Sequence, residues 1–236
     1  MNMEILLSII IPCKNEEKYI GKLLDCLTKQ QLPQSVEIII ADAESTDNTL
    51  QIINSYTNLL PNLKVIKGGL PPVGRNLGAH NAKGKTLLFI DSDVYFNNNN
   101  LILKSLEVFN QKKAHLLGCL LNIENNPKVK TIYKFCNLTF YLSKYDKPFV
   151  VGSYMMIDKE TFFNIGGFDE ELMHCEDYFL SKEVNPNKYV ILNEYIYTDD
   201  RRFKKLGNWG IIKYFVKNMI EKNNKDYFKR DIGYWL

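Results

Sequence analysis

Short apolar runs alternate with helix-like segments over the first 95 residues of the chain. Residues 6–11, 36–41 and 86–90 are nearly continuous apolar runs. Strands that are buried on both faces of a parallel sheet have this character, whereas half-exposed strands alternate between apolar and polar residues. Residues 63–66 form a shorter run of the same kind, so the pattern predicts four strands in this half.

Apolar residues recur at helical spacing between these strands. The first such segment carries them at Ile20, Leu23, Leu24 and Leu27. Asn15 is predicted to cap this helix, with Glu16 and Glu17 in its first turn, where negative charge is favourable. Ser45 or Thr46 is predicted to cap the helix that follows the second strand.

Strand–helix alternation of this kind implies parallel pairing with right-handed crossovers. A third helix is expected from about residue 73 to residue 82. Beyond residue 95 the alternation loosens into a helix near 100–111, a strand near 115–123, an amphipathic segment near 130–144 and a strand near 149–157. The predicted fold class is therefore α/β, with a Rossmann-like, mostly parallel central sheet flanked by helices and a mixed C-terminal half.

Composition fits one large domain. The chain has 236 residues, 45% of them hydrophobic, and its formal net charge is only +3. The 30 basic residues form no dense basic arm, so nucleic acid is not an expected partner. The five cysteines lie far apart without a Cys-x-x-Cys pair, which argues against a disulfide framework and a structural zinc site. A cytoplasmic location is predicted.

The C-terminal residues 208–236 are predicted to form an amphipathic helical tail after a main domain at 1–207. Six apolar residues of the tail fall on one helical face: Ile211, Ile212, Phe215, Val216, Met219 and Ile220. Aromatic and basic residues follow, at Tyr227, Phe228, Tyr234 and Trp235 beside Lys225, Lys229 and Arg230, a mixture that suits peripheral contact with a membrane interface. The alternative is that the apolar stripe packs on the core of the protein itself. No apolar run reaches the roughly 18 residues of a spanning helix, and the N-terminus does not resemble a signal peptide.

The apolar run at 86–90 ends in two carboxylates, Asp91 and Asp93, one residue apart. Like charges at the tip of a buried strand are costly unless a cation lies beside them, and a divalent metal, Mn²⁺ or Mg²⁺, is a common solution. Two ordinary solvated loop aspartates are the alternative. The first strand lacks a following G-x-G-x-x-G, which disfavours a dehydrogenase-type dinucleotide fold.

Six short motifs occur along the chain in the order SIIIPCKNE (8–16), IADAESTD (40–47), GRNLGA (74–79), FIDSD (89–93), GGFDE (166–170) and ED (176–177). In this order and spacing they resemble the inverting glycosyltransferases of family 2, which have the GT-A fold. The resemblance implies a nucleotide-sugar donor, most often UDP-linked, bound by residues 1–95. An acceptor would be bound by residues 96–207.

Donor-binding residues follow from the same resemblance. Pro12, Lys14, Asn15 and Glu16 correspond to the region that contacts base and ribose, and Asp42 has a carboxylate suited to accept the uracil N3–H. A helix cap is the alternative for Asp42. Ala43 stands where many members of the family carry a second aspartate, so the contacts to base and ribose are expected to be fewer.

The diphosphate and metal are assigned in the same way. Arg75 is expected to donate to the diphosphate, since its planar fork matches phosphate oxygens. Asp93 would ligate the metal, with Asp91 approaching the ribose or metal. Arg201 and Arg202 lie in a segment, 198–207, that resembles a flexible arginine-bearing segment able to close over the donor; a solvated basic loop is the alternative. The chain lacks the Gln-x-x-Arg-Trp signature of processive synthases, so non-processive transfer is expected.

An inverting transfer needs a carboxylate to take the proton of the acceptor hydroxyl, and the resemblance assigns this role to Asp177. Glu176 and Asp169 are the substitutes, and Gly152 is placed on the acceptor side. Because Asp177 opens a predicted helix, the helix dipole is expected to lower its pKa. The alternative is that these acids only complement the dipole. His174 nearby is expected to be structural or exposed.

Two other functions remain open. A sugar-1-phosphate nucleotidyltransferase also uses an α/β sheet and metal-bound carboxylates, but its glycine-rich first loop is missing here. A catalytically inactive sugar-nucleotide sensor or scaffold is the other alternative, although Asp91, Asp93 and Asp177 are all present. The predicted acceptor is a glycan, a lipid-linked precursor or a protein.

Overall fold

The computed structural model describes residues 5–33, 35–60 and 62–231 of the chain. Its strands are β1 Leu7–Cys13, β2 Val36–Asp42, β3 Leu63–Lys67, β4 Thr86–Ile90, β5 Leu116–Asn122, β6 Tyr154–Asp158 and β7 Tyr189–Tyr197. Its helices are α1 Ile20–Thr28, α2 Thr49–Ser55, α3 Pro71–Asn81, α4 Leu101–Gln111, α5 Pro127–Ser143, α6 Lys159–Asn164, α7 Glu176–Ser181, α8 Arg201–Glu221 and α9 Lys225–Phe228, with a 3₁₀ turn at Pro186–Lys188.

The seven strands form one sheet in the order β3-β2-β1-β4-β6-β5-β7. Strands β1 to β4 are parallel, β6 is antiparallel to both β4 and β5, and β7 is parallel to β5. This arrangement confirms the predicted α/β class with a mostly parallel sheet and a mixed C-terminal half.

The side chains of alternate residues in the buried strands pack into two apolar layers, one on each face of the sheet. In β1, Ile9 and Ile11 pack with α1, α2 and α4 on one face, while Ile10 packs with α3 and α6 on the other. Burial on both faces explains why β1 reads as a continuous apolar run.

Helix α3 lies unusually close to β1 because Gly78 has no side chain. A Cβ atom at this position would lie 2.3 Å from Cγ2 of Ile10, which no real side chain permits. This close contact explains the second glycine of the GRNLGA motif, and it fixes the position of Arg75 one turn earlier.

Several predicted boundaries and caps differ from the structure. The N-cap of α1 is Tyr19, not Asn15. The side chain of Asn15 instead accepts from the backbone N–H of Thr46 at 2.8 Å, and Asn15 has a left-handed φ of 53°. Glu16 and Glu17 therefore lie before the helix rather than in its first turn. The prediction was wrong because the loops after β1 and β2 bind each other, a contact between segments about 30 residues apart.

The helix after β2 begins at Thr49, and its N-cap is Asn48 rather than Ser45 or Thr46. The last predicted strand is shorter than expected, since β6 begins only at Tyr154. Helix α6 and strand β7 were not predicted, and β7 mixes buried with exposed positions. Mixed burial at this edge of the sheet leaves no clear periodicity in the sequence.

The C-terminal tail is continuous with the main domain through α8, which is kinked at Gly207, where φ is +70° and ψ is 160°. The predicted domain boundary at the same residue stays a prediction. Within the described part of the chain, no helix is long and apolar enough to cross a membrane. Tyr234 and Trp235 of the predicted aromatic group lie outside the described residues.

Candidate active site

The candidate site lies at the sheet edge where β1, β2 and β4 end, which is where open α/β sheets bind ligands. Asp91 and Asp93 follow β4, Glu16 follows β1, and Glu176 and Asp177 open α7. The fold therefore brings together carboxylates that are up to 161 residues apart in sequence, from position 16 to position 177.

Arg75 is the centre of a buried ion-pair network. Its side chain is 1% exposed, with Nη1 2.5 Å from Oε1 of Glu176 and Nη2 2.6 Å from Oδ1 of Asp91. Ser153 donates to the other carboxylate oxygen of Asp91 at 3.0 Å. Burial alone would lower the pKa of the guanidinium, but these carboxylates raise it, so Arg75 stays charged. Removing one member of such a network typically costs about 3–5 kcal/mol, because a buried charge is left unpaired.

Both ends of the Arg75 fork bind carboxylates, so that Arg75 connects Asp91 to Glu176. Its predicted contact with a diphosphate stays a prediction. The sequence shows the motif but not the burial of Arg75, because the partner Glu176 lies 101 residues away.

Gly152 supports the network in two ways. Its backbone N–H donates to Oδ2 of Asp177 at 3.0 Å. A Cβ atom at this position would lie 2.7 Å from Nη2 of Arg75, so a side chain would displace the guanidinium. The predicted acceptor-side residue therefore contacts the candidate base and makes room for Arg75.

Asp177 accepts a second hydrogen bond, from the backbone N–H of Tyr178 to Oδ1 at 2.7 Å. Burial raises the pKa of Asp177, even though the N–H of Gly152 and the charge of Arg75 oppose the shift. The expected lowering by the helix dipole was wrong, because α7 has only six residues and burial outweighs its dipole. Burial also raises the pKa of Glu176, against the opposing charge of Arg75.

Asp93 and Glu16 share a second arginine. The guanidinium of Arg201 lies 2.6 Å from Oδ2 of Asp93 and binds both carboxylate oxygens of Glu16, at 2.9 and 3.1 Å. Segment 198–207 is therefore not a solvated loop at Arg201. Helix α8 begins there, and the side chain of Arg201 binds Glu16 and Asp93. Burial raises the pKa of Glu16 although Arg201 opposes it. Arg202 follows in the same turn and is half-buried.

The fit of a divalent ion can be judged from these carboxylates. Among the described residues, no group of three or more histidine, cysteine, aspartate or glutamate side chains is arranged as a complete metal site. Glu16 and Asp93 nevertheless converge on one cation, the guanidinium of Arg201. Oxygen ligands that already balance a positive charge suit Mn²⁺ or Mg²⁺, with the remaining ligands coming from a diphosphate and water.

The remaining donor-side residues lie near the ends of β1 and β2. Pro12 is buried and Lys14 is exposed. Asp42 is 6% exposed and accepts from the hydroxyl of Ser45 at 2.5 Å and from its backbone N–H at 3.0 Å. The carboxylate of Asp42 therefore stabilises its own loop, and its contact with uracil stays a prediction.

Asp169 is turned toward the tail rather than toward Arg75. Its carboxylate forms an ion pair with Lys225 and accepts from the N–H of Glu171 at 3.0 Å. Burial would raise the pKa of Asp169, but Lys225 and the N–H group lower it below its usual value. As a substitute base, Asp169 is weaker than Glu176 or Asp177.

Asn76 is a site residue whose role the sequence reading missed. Its side-chain amide donates to the carbonyl of Phe168 at 2.8 Å and accepts from the N–H of Phe168 at 3.0 Å. This double contact joins the GRNLGA and GGFDE motifs and positions the chain that leads to α7. In the sequence, the presence of both motifs in one chain was the only indication of this contact.

Comparison with known proteins identifies the class. The model of the protein family described as Glycosyl transferase family 2 matches residues 8–166, more than half of the chain. This chain belongs to glycosyl transferase family 2, and its fold is that of the GT-A glycosyltransferases. The family predicted from the motifs is thereby confirmed.

Individual proteins of similar sequence include two enzymes that act on poly(ribitol-phosphate) by name. The poly(ribitol-phosphate) beta-N-acetylglucosaminyltransferase TarS of Staphylococcus aureus is 44% identical over 99 residues, covering 40% of this chain and 17% of TarS. A poly(ribitol-phosphate) beta-glucosyltransferase of Bacillus spizizenii is 36% identical over 140 residues, covering 56% of this chain and 22% of the relative. The chain thus spans about a fifth of the length of these curated relatives.

Solved structures of other glycosyltransferases have a fold similar to that of this chain. Staphylococcus aureus TarS 1-349 in complex with UDP-GlcNAc has a TM-score of 0.67 at 28% identity, covering 82% of this chain and 58% of that one. A mannosyltransferase of Pyrobaculum calidifontis, in complex with GDP-Man and Mn²⁺, has a TM-score of 0.70 at 16% identity, covering 92% and 65%. The second likeness supports the fold alone.

Proposed function

We propose that this chain is an inverting, non-processive glycosyltransferase that moves a sugar from a UDP-sugar to an acceptor hydroxyl, with Asp177 as the general base. The observation that supports it most directly is the buried network in which Arg75 joins Asp91 to Glu176, beside Asp177. The UDP-GlcNAc complex of the similar TarS supports a uridine nucleotide and, by analogy, an N-acetylhexosamine or hexose as the sugar.

In the proposed step, a carboxylate oxygen of Asp177 takes the proton from the acceptor hydroxyl. The hydroxyl oxygen attacks the anomeric carbon from the face opposite the diphosphate, and the bond from that carbon to the diphosphate oxygen breaks, with its electron pair leaving on UDP. Attack from the opposite face inverts the anomeric configuration. The raised pKa makes Asp177 a stronger base than an exposed aspartate.

Asp93 would hold Mn²⁺ or Mg²⁺ in this proposal together with Glu16, which shares Arg201 with it, and with Asp91 from the same loop. A bound divalent ion would supply Lewis-acid stabilisation of the negative charge on the departing diphosphate. Arg201, which now neutralises Asp93 and Glu16, would then be available to a diphosphate oxygen. Arg75 would orient Asp91 and Glu176, and from this position it would donate to the diphosphate only if one of these ion pairs opens.

The test is a transfer assay with a panel of nucleotide-sugars, Mn²⁺ or Mg²⁺, and glycan acceptors that include poly(ribitol-phosphate). We expect acceptor-dependent release of UDP, and NMR of the product should show inverted anomeric configuration. Retained configuration would remove Asp177 from its role. UDP binding without any release or transfer would favour the inactive sensor, and pyrophosphate release from a nucleoside triphosphate and a sugar-1-phosphate would favour the nucleotidyltransferase.

We also propose that the outward face of the tail contacts an anionic membrane surface, which suits an acceptor built on a lipid. Five of its apolar side chains are exposed, with Trp209 and Ile220 each 76% accessible: Trp209, Phe215, Val216, Met219 and Ile220. Exposed Lys213 and Lys217 lie on the same helix, and exposed Lys222 is its C-cap. Apolar side chains among lysines suit an interface with anionic lipid headgroups.

Flotation with phosphatidylglycerol vesicles at low salt tests this contact. Replacing Phe215, Met219 and Ile220 together with serine should lower the vesicle-bound fraction by about tenfold or more, because three apolar side chains are lost from the interface. Leu59→Ser is the matched control, since Leu59 is 63% exposed but lies outside the tail. Equal flotation of the triple variant and the parent protein would refute membrane contact through this face.

A further inference from the structure

The tail has a second, inward face that packs on the segment leading to the candidate base. We define the base loop as residues 169–177, which ends in Glu176 and Asp177. Helix α8 beyond Gly207 and helix α9 both contact this loop. The residues that contact the base loop are therefore not those of the predicted apolar stripe, most of which is exposed, and the sequence did not predict this inward face.

His174 is the centre of the contact. It is fully buried, with ring centroids 5.7 Å from Tyr214, 5.4 Å from Tyr227 and 5.0 Å from Phe228. Its Nδ1 lies 3.2 Å from the hydroxyl of Tyr214. Burial lowers the pKa of His174, so the ring is neutral at neutral pH and packs among aromatic side chains without the cost of a buried charge.

Cys175 extends the contact to the residue before Glu176. Its sulfur lies 3.6 Å from the hydroxyl of Tyr214 and accepts from Nδ2 of Asn218 at 3.3 Å. Cys175 is also the N-cap of α7 and has a left-handed φ of 60°. Such a backbone conformation is unfavourable for a non-glycine residue and persists only where surrounding contacts hold it.

Helix α9 closes the other side of the loop. The carbonyl of Phe228 accepts from the N–H of Met173 at 2.9 Å. Lys225 forms an ion pair with Asp169, and Lys229 forms one with Glu171 at 2.7 Å. The base loop is thus held by apolar, hydrogen-bonding and charged contacts from one continuous tail.

We propose that the tail is a positioning element for Asp177, in which Tyr214, Asn218 and Phe228 hold the left-handed turn at Cys175. This inference rests on the proposed role of Asp177 as the base. Rotation about the backbone at Cys175 would carry Glu176 away from Arg75 and Asp177 away from the N–H of Gly152. Since general-base catalysis requires close placement, loss of the tail contacts should slow transfer. The ion pairs of Arg201 with Glu16 and Asp93 do not include Glu176, so this part of the donor side should keep its arrangement.

The test combines kinetics with the reactivity of Cys175, measured by iodoacetamide alkylation and peptide mass spectrometry. Phe228→Ala should lower kcat by about tenfold or more, leave the KM for the UDP-sugar within about twofold, and speed Cys175 alkylation by about tenfold. Tyr214→Phe keeps the ring but removes the hydroxyl, so it should shift the same quantities by about threefold with normal folding. Alkylation of Cys26 and Cys136 provides the internal reference.

Phe135→Ala is the control for the loss of a phenylalanine ring, because Phe135 is 65% exposed and lies in α5, outside the tail. It should leave kcat and Cys175 alkylation unchanged. The positioning role would be overturned if Phe228→Ala and Tyr214→Phe kept full kcat while Asp177→Asn was inactive. Lower kcat with unchanged Cys175 alkylation would also overturn it. An active Asp177→Asn variant would instead refute the proposed function.

Discussion

Replacing Asp177 with asparagine should lower transfer by about 10²-fold or more while leaving the affinity for UDP nearly unchanged. Asparagine keeps the shape of the side chain and can still accept from the N–H of Gly152, but it cannot take a proton from the acceptor hydroxyl. The measurement is kcat for transfer together with calorimetry of UDP binding in the presence of Mn²⁺. A loss confined to kcat would identify an interaction made only in the transition state.

Glu176→Gln is the comparison that separates the two neighbouring acids. Glu176 binds Arg75 at 2.5 Å, so its substitution should weaken the buried network and lower thermal stability as well as turnover. Equal turnover in Asp177→Asn and the parent enzyme would contradict the assignment and transfer the role to Glu176. Asp169 is a poor candidate because it forms an ion pair with Lys225.

The pH profile of the parent enzyme provides an independent check. A base must be deprotonated to act, and burial raises the pKa of Asp177 above the ordinary value of 3.8. The kcat/KM for transfer should therefore fall as the pH decreases through a value above 3.8, and the residual activity of Asp177→Asn should lack this acid limb.

Replacing Asp93 with alanine should abolish the stabilisation of the protein by UDP with Mn²⁺, and with it nearly all transfer. Asp93 is the carboxylate that now binds Arg201 at 2.6 Å, so its loss removes the proposed metal ligand and leaves one fewer partner for that arginine. The measurement is the shift in melting temperature on adding UDP with Mn²⁺, compared with UDP and EDTA. The apo protein should still fold, since Asp93 lies after β4 and not within it.

Asp200→Ala is the matched control for Asp93→Ala. Like Asp93, Asp200 forms an ion pair, with Lys204 at 2.6 Å. Asp200 is the N-cap of α8 but does not form an ion pair with Arg201. It should leave the metal-dependent shift intact. UDP with Mn²⁺ binding to Asp93→Ala as tightly as to the parent protein would show that the metal assignment is wrong.

The sequence by itself determined the sheet-forming strands of the first half and the family. The run at 86–90 was predicted with the bounds that β4 has, because a strand buried on both faces must be apolar throughout. The motifs that identify the family are also local, since each is a short contiguous stretch of the chain. Asp91, Asp93, Glu176 and Asp177 could therefore be selected before their positions in space were known.

Only the tertiary structure decided what those residues contact. Asn15 binds the loop after β2 instead of capping α1, Arg75 is buried between two carboxylates, and Arg201 neutralises Asp93 and Glu16. Each contact joins segments that are far apart along the chain, so no local periodicity or spacing predicts it. The pKa of Asp177 depends in the same way on burial by other segments, which outweighs the dipole of its own short helix.

The tail shows the same division between local pattern and tertiary contact. Its amphipathic character was readable from residues three and four apart, because helical geometry alone places them on one side. The sequence did not decide which side chains face the protein. In the structure Tyr214 and Phe228 face inward, where both rings contact the buried His174. Periodicity identifies an apolar face, but the surface it meets depends on distant parts of the chain that only folding brings together.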